Sequence, residues 1–498
     1  MHAVVPLTGH GVLGTVWTLA DQLGVVARSP SELVAALQHD QRRTVIVLPD
    51  LHAADDAAAL AELAVALADV EHVRLVVEAR SGHRVLPLLG AAGPAVMDLD
   101  EAQWTEPARY EARLAAQDRS GPHPAGGRPA DPLAPLPDLE DPAAVCAADP
   151  VHVTAAYEVD GAPYGGLRAA WLRAGQSLLH HQPPAERALV LLTALGDGAD
   201  PRLAPELAQL AAGASWELVW GRVCGDISPP WPGPVFALTL GNGPLEGQIL
   251  LSDHQGVLRT VALSDAVPTG RLIQRIPQTM ALSSLPDGTV WALDSQGSLH
   301  TQKLSAARPV SGLTALLDDG PTPVEQAADA LTTLLAQTSG TAMAATENLA
   351  ALADASGTVH TLTIGAPDAA PRTALLHEGP VTALAAVDLP LGESGPSVPL
   401  LYSGGADGRV RVWAPEQEPL AAPVAERSCP VVALSCAHTP VGLVLAAGWA
   451  DGLVEYHRLD AGEMRSFRPG PPVSGLAVTP GGHLVIGTDE AVFCLRPR

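Results

Sequence analysis

Positive charge, aromatic residues, cysteine and long hydrophobic runs are all scarce in this sequence, and each shortage excludes a class of protein. The 498 residues include 29 Lys and Arg against 54 Asp and Glu, which gives a net charge of -25. A field of that sign repels nucleic acid, because proteins bind phosphate backbones with Lys and Arg. Lys303 is the only lysine, so chemistry that needs a lysine elsewhere in the chain is excluded. Arginine in place of lysine, with abundant alanine, is typical of a high-GC bacterial genome.

The few cysteines and the lack of long apolar segments bear on metal sites, targeting and membranes. Five cysteines without C-x-x-C spacing indicate neither a disulfide framework nor a zinc site. No basic flank precedes an apolar run at the N-terminus, which predicts that the chain has no secretory signal. The longest run rich in Ala, Leu and Val, residues 57–70, contains Glu62 and Asp69 and is too short to span a bilayer. We therefore expect a cytoplasmic protein with no metal and no cofactor.

The first 117 residues alternate strand-like and helix-like segments. The runs 44–49 (TVIVLP) and 73–79 (VRLVVEA) have the apolar, β-branched composition of strands buried on both faces. Residues 55–69, between them, have helical periodicity. Further candidates are a strand at 2–7, helices ending at 23 and spanning 31–38, and a strand at 95–99. This alternation predicts an α/β domain with a parallel sheet.

Composition divides the rest of the chain into three parts. Residues 118–150 contain eight prolines with Gly and Asp between them, which predicts a linker that is semi-rigid where proline is dense. Residues 165–213 are rich in Ala and Leu at helical spacing. We predict a multidomain chain, with an α/β domain (1–117), a linker (118–150), a small helical element (151–213) and a C-terminal domain (214–498).

The C-terminal half of the chain repeats itself. A pentapeptide Pro-Val-x-(Ala/Gly)-Leu occurs at 234–238, 309–313, 380–384, 430–434 and 472–476, with a divergent copy, QTMAL, at 278–282. Tight turns into alternating strands follow, and their glycines are Gly256, Gly297, Gly357, Gly408 and Gly452. The intervals between these glycines are 41, 60, 51 and 44 residues, and the longest contains an insertion of helical composition, roughly residues 318–347. A period near forty residues is typical of a β-propeller blade.

The repeats resemble the WD40 family. The segment LLYSGGADGRVRVWAP (400–415) matches the half-repeat pattern of that family, with Trp413 at the tryptophan position, where it is expected to pack within a blade. His377 is the one histidine that precedes a first strand as the family's histidine does. The resemblance, to bacterial and specifically actinobacterial members, implies an all-β propeller, and the six visible copies predict six blades. Because the last copy ends at its third strand, we expect Trp216–Val223 to close it; seven blades are the alternative if that segment forms an extra blade.

The N-terminal domain resembles a degraded P-loop NTPase of the STAND kind. GHGVLGTV (9–16) lies where GxxxxGK(S/T) would lie, but Thr15 and Val16 replace the lysine and the Ser/Thr. VIVLPDLHAADD (45–56) resembles a Walker B strand whose acidic residue, Asp50, comes one place late. Thr15 in place of the lysine removes the ammonium that reaches the β- and γ-phosphates, and Val16 in place of the Ser/Thr removes the hydroxyl that binds Mg²⁺. We therefore predict a pseudo-NTPase domain that does not hydrolyse nucleotide.

Five residues of this domain are candidate cofactor-binding residues. Gly9, Gly11 and Gly14 can present backbone N–H groups to a phosphate at a helix N-terminus, which needs no side chain. Thr15 and Asp50 complete the remnant of the motif. The alternative is a strand-to-helix turn that needs glycine only for its geometry, and the loss of the lysine favours that alternative.

Two groups of neighbouring polar residues have structural explanations that we favour over chemistry. Asp50, Asp55 and Asp56 follow a strand and can hold a metal, but such residues more often cap the next helix. His180 and His181 are adjacent, and adjacent side chains on a helix face different directions. We expect the two histidines to form a solvated surface pair.

The aspartates near the repeat glycines are also expected to be structural. Ser252, Asp253 and His254 have the residue types of a hydrolase triad, but consecutive residues cannot converge on one nucleophile. Asp253, Asp294 and Asp354 each lie three residues before a repeat glycine. That recurrence indicates hydrogen bonding within turns.

Two functions of different kinds fit these predictions. The leading one is a non-catalytic scaffold that binds protein partners through the propeller faces and binds neither nucleic acid nor membrane. The 318–347 insertion, projecting from one rim, is its expected specificity element, and the acidic net charge favours basic partner surfaces. The alternative is a regulator whose STAND-like domain binds nucleotide without hydrolysing it. An enzyme that uses the propeller channel has no supporting set of residues.

Overall fold

The computed structural model describes residues 2–40, 42–99, 101, 137–223, 235–303, 321–366, 369–390 and 397–498. The chain divides into two compact units. The first comprises Met1–Tyr164 with Leu178–His181, and the second comprises Gly165–Ser177 with Gln182–Arg498. Residues 118–136 of the predicted linker, the PVSGL copy at 309–313 and Cys224 lie outside the described residues.

The first unit contains a parallel sheet with helices, as the alternating pattern predicts. Its strands β1 (Ala3–Val4), β2 (Thr44–Leu48) and β3 (Val73–Val77) lie in that order, and the central strand is almost fully apolar. The helices described in this unit are α1 (Val12–Leu23), α2 (Pro30–His39), α3 (Ala57–Ala68), α4 (Leu86–Leu89), α5 (Pro142–Ala147) and α6 (Pro150–Val159). The prediction of a strand at 95–99 is wrong, because this run does not pair with the sheet and Val96 is 82% exposed.

Most helix starts in this unit follow from the local sequence. The side chains of Ser29, Asp56 and Asp149 accept N–H groups in the first turns of α2, α3 and α6, as capping residues do. Helix α1 differs, because its cap is Gly11 and its first turn contains no acidic residue. The positive end of α1 is therefore left without a local cap or a local charge.

The second unit contains a six-bladed β-propeller, as predicted. Its helices α7 (Leu167–Ala174), α9 (Pro184–Ala194) and α10 (Leu203–Leu210) lie in the predicted helical element, as does α8 (Gln176–Leu179), whose last two residues belong to the first unit; β4 (Trp216–Val223) follows them. We letter the strands of each blade a to d from the centre outward. Blade 1 consists of Ala237–Leu240, Gln248–Ser252, Val257–Ala262 and Pro268–Arg275. The described strands of blade 2 are Thr279–Ser284, Thr289–Asp294 and Leu299–Lys303.

The other four blades have four strands each. Blade 3 consists of Gly340–Ala345, Leu349–Asp354, Thr358–Thr363 and Arg372–Leu375. Blade 4 consists of Val381–Pro390, Ser397–Gly405, Arg409–Trp413 and Ala425–Glu426. Blade 5 consists of Val431–Thr439, Gly442–Trp449, Val454–Arg458 and Glu463–Phe467. Blade 6 consists of Val473–Val478, Leu484–Thr488, Ala491–Pro497 and, as its outer strand, β4.

The closing strand prediction is confirmed. Strand β4 pairs antiparallel with Ala491–Pro497, with Trp216 opposite Pro497 and Arg222 opposite Val492. The segment therefore completes the sixth blade instead of forming a seventh. This pairing removes the open edge that a three-stranded last blade would leave.

The pentapeptide marks a β-bulge at the start of an a strand. In blade 4 the pairing register shifts between Val381 and Ala383, so Thr382 is the extra residue, and blades 5 and 6 shift at the same place. The Thr382 hydroxyl donates to the carbonyl of Val431 in the next blade over 2.5 Å. Val381 is fully buried in the core between blades 3 and 4. The motif thus supplies a buried residue and a bulge, and in blade 4 the threonine at its variable position adds a contact to the neighbouring blade.

Blade 3 begins differently, and the predicted insertion is too long. Its a strand, Gly340–Ala345, lies inside the range 318–347. The helical part of the insertion is α11 (Pro323–Leu335), which starts with a capping box at Thr322. Leu331 of α11 is fully buried with Trp291 and Leu352 in the core between blades 2 and 3. The helix therefore packs against these blades, and the prediction that it projects from a rim is wrong.

Candidate functional site

The predicted nucleotide-binding turn lies between β1 and α1, as its resemblance implies. Gly9 has a φ of +68°, a backbone conformation that favours glycine. The N–H of Gly9 donates to the carbonyl of Ala53 over 3.0 Å, and that of His10 donates to the carbonyl of Leu7 over 3.0 Å. Two of the backbone donors of the turn are therefore bound to acceptors of the protein itself.

The carboxylate of Glu158 lies at the start of α1. Leu13 N–H donates to Glu158 Oε1 over 2.8 Å. Gly11 has ordinary backbone angles, with φ -80° and ψ 179°, yet a Cβ added to it would lie 2.9 Å from Glu158 Cδ. Burial raises the pKa of Glu158, the Leu13 N–H opposes the rise, and the nearby charges of Asp55 and Asp56 add to it. This carboxylate, from a distant helix, supplies the cap and the negative charge that α1 lacks locally.

The remaining predicted site residues lie close to this turn. Thr15 is fully buried, and its hydroxyl donates to the carbonyl of Gly11 over 2.8 Å. Asp50 follows β2 with a φ of +59° and precedes a single helical turn, Leu51–Ala53. A Cβ added to Gly14 would meet no atom within 4 Å. Thr15 thus bonds within its own helix, and a cofactor role for any of the five residues stays a prediction.

The neighbouring acidic residues and histidines have structural partners. Asp56 accepts the N–H of Ala59 over 3.0 Å, which confirms that it caps α3. In the part of the chain that the structure describes, no group of three or more His, Cys, Asp and Glu side chains is arranged to hold a metal. His180 Nε2 lies 3.1 Å from a carboxylate oxygen of Asp21. Of the predicted solvated pair, His181 is exposed and His180 is half-buried beside Asp21.

In blades 1 to 3, an aspartate near the end of strand b organises the b–c turn. Asp253, Asp294 and Asp354 each accept the backbone N–H groups two and four residues later, which confirms the predicted turn hydrogen bonds. Each carboxylate also contacts a side chain six residues later on strand c. These partners are Arg259 at 2.8 Å, His300 at 2.7 Å and His360 at 3.4 Å.

Blade 4 uses another arrangement around its histidine. His377 Nδ1 lies 3.0 Å from Asp407 Oδ1, and its Nε2 lies 2.8 Å from the hydroxyl of Ser403. Trp413 is buried in the core between blades 3 and 4, as expected, and its Nε1 donates to the carbonyl of Gln417 over 2.8 Å. The histidine therefore joins the segment before strand a to strand b and to the b–c turn.

Blade 5 replaces that histidine with arginine. Arg427 lies three residues before Pro-Val, as His377 does, and its Nη2 is 2.6 Å from Asp451 Oδ2. Arg468 Nη2 lies 3.0 Å from the same oxygen. The guanidinium of Arg427 also lies 5.6 Å from the ring centre of Trp449, in a cation–π contact. One buried carboxylate thus holds two arginines.

We expect the propeller to lose stability as the pH falls from about 7.5 to about 5.5, and the substitution His377→Gln to reduce that loss. Burial lowers the pKa of His377, and Asp407 opposes the shift without reversing it. The unfolded chain then binds a proton more readily than the folded chain, so stability decreases as the pH falls below the ordinary histidine value of about 6.5. Urea unfolding at both pH values measures the effect, with His254→Gln, at an exposed site, as the control. Equal losses in wild type and His377→Gln would contradict this prediction.

The residues that propeller-based catalysis would need do not come together. Ser252 is buried, Asp253 is bound to Arg259, and His254 is exposed, so the three do not converge. The a strands line a central cavity of about 320 Å³. Its described lining contains no Asp, Glu, Lys or Arg. The central cavity therefore has a neutral wall of mostly small side chains.

The two faces of the propeller can be distinguished by their turns. We call the face with the a–b and c–d turns the hairpin face, and the opposite one, with the b–c turns and the links between blades, the crossover face. Bonds between neighbouring blades agree with this grouping. Asn242 in the a–b turn of blade 1 bonds to Ser284 beside that of blade 2, and Arg372 at the c–d turn of blade 3 bonds to Glu416 in that of blade 4.

Carboxylates are used differently on the two faces. On the crossover face, the turn aspartates of blades 1 to 5 all contact Arg or His. The exposed acidic residues in the described turns of the hairpin face include Glu246, Asp265, Asp287, Glu347, Glu416, Glu418 and Asp460. Of these seven, and within the described residues, only Glu416 forms an ion pair, with Arg372. The hairpin face therefore carries negative charge that the described residues of the propeller do not compensate with ion pairs.

Comparison with known proteins adds no relative, since no family model and no curated protein matches this chain. The fold itself defines the class, which is a six-bladed β-propeller combined with a unit that contains a parallel sheet and helices. None of the helices within the described residues is long and apolar enough to cross a membrane.

Sequence reasoning missed the side chains that complete these arrangements. Glu158 contacts Leu13, which lies 145 residues away, and no local pattern links the two. Arg427 could have been identified from the sequence, because it occupies the same position before Pro-Val as His377. Arg468 lies one place further from its Pro-Val, at 472–473, and the offset hides its equivalence.

Proposed function

We propose that this protein is a non-catalytic scaffold that binds a basic protein partner through the hairpin face of its propeller. The observation that carries the proposal is that, among the described residues, the exposed carboxylates of that face other than Glu416 form no ion pair, whereas the turn aspartates of the crossover face in blades 1 to 5 are paired. Opposite charge on a partner steers its approach and fixes its orientation. The rigid ring holds the turns of this face in place without help from a ligand.

The non-catalytic part of the proposal is supported by the central cavity. Acid–base and nucleophilic catalysis need titratable groups within hydrogen-bond distance of a substrate. The described lining of the cavity consists of apolar residues together with serines, threonines, Asn242, Cys436 and His438, and it contains no carboxylate and no lysine that could act with them. Binding at the rim is the function that this neutral cavity and charged face favour.

A relationship to WD40 proteins is part of the same proposal. Its support is the contact of His377 with Asp407 and Ser403 in the blade whose sequence matches the family pattern best. The pseudo-NTPase interpretation of the first unit also remains a proposal. The nucleotide-binding alternative requires Glu158 to leave the start of α1, and the Leu13–Glu158 hydrogen bond favours the scaffold.

The test is binding of a synthetic Lys/Arg-rich peptide to the full chain. We expect its affinity to fall steeply with salt, and to fall roughly tenfold when four hairpin-face charges are removed together. The four substitutions are Asp265→Asn, Asp287→Asn, Glu347→Gln and Glu418→Gln. Fluorescence anisotropy with a labelled peptide measures the dissociation constants.

A matched control removes the same number of charges elsewhere. It carries Glu62→Gln, Glu71→Gln, Glu140→Gln and Glu206→Gln, all at exposed positions outside the propeller blades. The control should bind the peptide like the wild type. Equal weakening in both variants would mean that net charge, and not the hairpin face, governs binding. No binding by the wild type would refute recognition through this face.

A further inference from the structure

We propose that Glu158 is an internal anion that closes the start of α1 to phosphate-bearing ligands. This inference concerns the first unit and does not depend on the scaffold function of the propeller. The shared chemistry of the excluded ligands is a phosphate oxyanion, whether it belongs to a nucleotide or to free phosphate.

The position of the carboxylate is the first support for this inference. A helix N-terminus offers unpaired N–H groups and the positive end of the helix dipole, which together attract an anion. In α1 the N–H of Leu13 donates to Glu158 Oε1 over 2.8 Å. Neither the cap, Gly11, nor the first turn of α1 supplies a competing side-chain acceptor. In the folded protein, Glu158 therefore accepts the hydrogen bond from Leu13 N–H that a phosphate oxygen would accept in a ligand complex.

The glycine at position 11 gives independent support. Its φ of -80° and ψ of 179° are accessible to any residue, so the backbone does not require glycine there. Space does require it, because an added Cβ would lie 2.9 Å from Glu158 Cδ and closer still to Oε2. Glycine at this position is thus explained by the close approach of the protein's own carboxylate, with no phosphate needed.

The surroundings of the carboxylate oppose a second anion. The pKa of Glu158 is raised by burial and further by Asp55 and Asp56, so two more negative charges lie close to it. Glu158 Oε2 is buried and has no hydrogen-bond partner among the described residues. A phosphate entering beside Glu158 would therefore meet like charge and no free space at Gly11.

A double-mutant cycle between Gly11→Ala and Glu158→Ala tests the contact. Gly11→Ala alone should lower the melting temperature of the first unit, since the methyl group displaces the carboxylate, and should speed amide exchange at Leu13. In the Glu158→Ala background the same substitution should cost much less, because the clash is gone. Gly14→Ala is the matched control, since its methyl group enters open space. Additive effects of the two substitutions would overturn the assignment of Glu158 as the internal anion.

Thermal unfolding of the full chain with pyrophosphate, ADP or Mg²⁺-ATP tests the closure. The wild type should show no shift with any of them. Glu158→Ala should gain a shift of about 5–10 °C at a hundredfold excess over the dissociation constant. Shifts with all three probes would indicate recognition of phosphate alone, and a shift confined to the two nucleotides would show that the base contributes. A shift in the wild type, or none in Glu158→Ala and in the milder Glu158→Gln, would overturn the closing role.

Discussion

Replacing Trp216 with alanine is expected to destabilise the propeller by about 3–5 kcal/mol. Trp216 lies on the closing strand and is fully buried. Its ring meets that of Tyr456 edge-on, with centres 5.3 Å apart, and its Nε1 donates to the carbonyl of Ser466 over 3.0 Å. The substitution removes both contacts and leaves a cavity between blades 5 and 6. Urea unfolding followed by circular dichroism measures the free energy.

The same strand supplies a control for this prediction. Val219 is three residues from Trp216 and 44% exposed, so it packs little against the neighbouring blades. Val219→Ala should change the free energy of unfolding by less than about 1 kcal/mol. Equal losses in the free energy of unfolding for Trp216→Ala and Val219→Ala would mean that the buried side of the closing strand does not stabilise the propeller.

The second large effect is expected at Asp451, where alanine should cost about 3–5 kcal/mol. The carboxylate is only 10% exposed and lies 2.6 Å from Arg427 and 3.0 Å from Arg468. Removing it leaves two partly buried guanidinium groups without their shared partner. Urea unfolding of Asp451→Ala and of the isosteric Asp451→Asn measures the loss. Glu463→Gln, which breaks the more exposed pair with Arg458, should cost less than about 1 kcal/mol.

The pH dependence of Asp451→Asn gives a second readout. Burial alone would raise the pKa of Asp451, but the charges of Arg468 and Arg427 outweigh it, so the pKa is lowered. A carboxylate with a lowered pKa stabilises the fold above the ordinary value of about 3.9, and that stabilisation is lost as the pH falls through the folded-state pKa. The difference in stability between wild type and Asp451→Asn should therefore shrink toward pH 3. A constant difference would contradict the ion-pair explanation.

Much of the propeller could be predicted because its blades repeat a local pattern. Pro-Val-x-(Ala/Gly)-Leu encodes a buried valine and a bulge, and both are decided by neighbouring residues on one strand. Counting the copies gave six blades, and the missing fourth strand of the last one pointed to Trp216–Val223. Blade 3 departs from the pattern because Gly340 must leave room for Leu335 of α11, only 2.7 Å from where its Cβ would lie. The start of blade 3 was therefore predicted wrongly, because the residue at position 340 is determined by a contact with α11 and not by the repeat.

The candidate site shows the same limit more strongly. The turn between β1 and α1 could be placed from its glycines and from the strand before it. The carboxylate of Glu158, which contacts this turn, could not be predicted, because the sequence of α6 contains no feature that indicates contact with α1. Likewise, the charge of the hairpin face depends on which carboxylates form ion pairs with Arg or His. Those pairs are determined by the alignment of the blades and not by composition. Net charge predicted an acidic protein without indicating which surface is acidic.

The closing strand also sets the order in which the chain can finish folding. Glu217 in β4 pairs with Arg496, which lies 279 residues later in the sequence. At ordinary rates of translation, roughly 5–20 residues per second, β4 leaves the ribosome about 15–55 s before its partner strand is made. Until then its backbone donors and acceptors have no strand to pair with, and such an edge can recruit a strand from another chain. Nascent chains on the same messenger are the nearest source, so slowing translation of the last blade should increase the yield of strand-exchanged dimers.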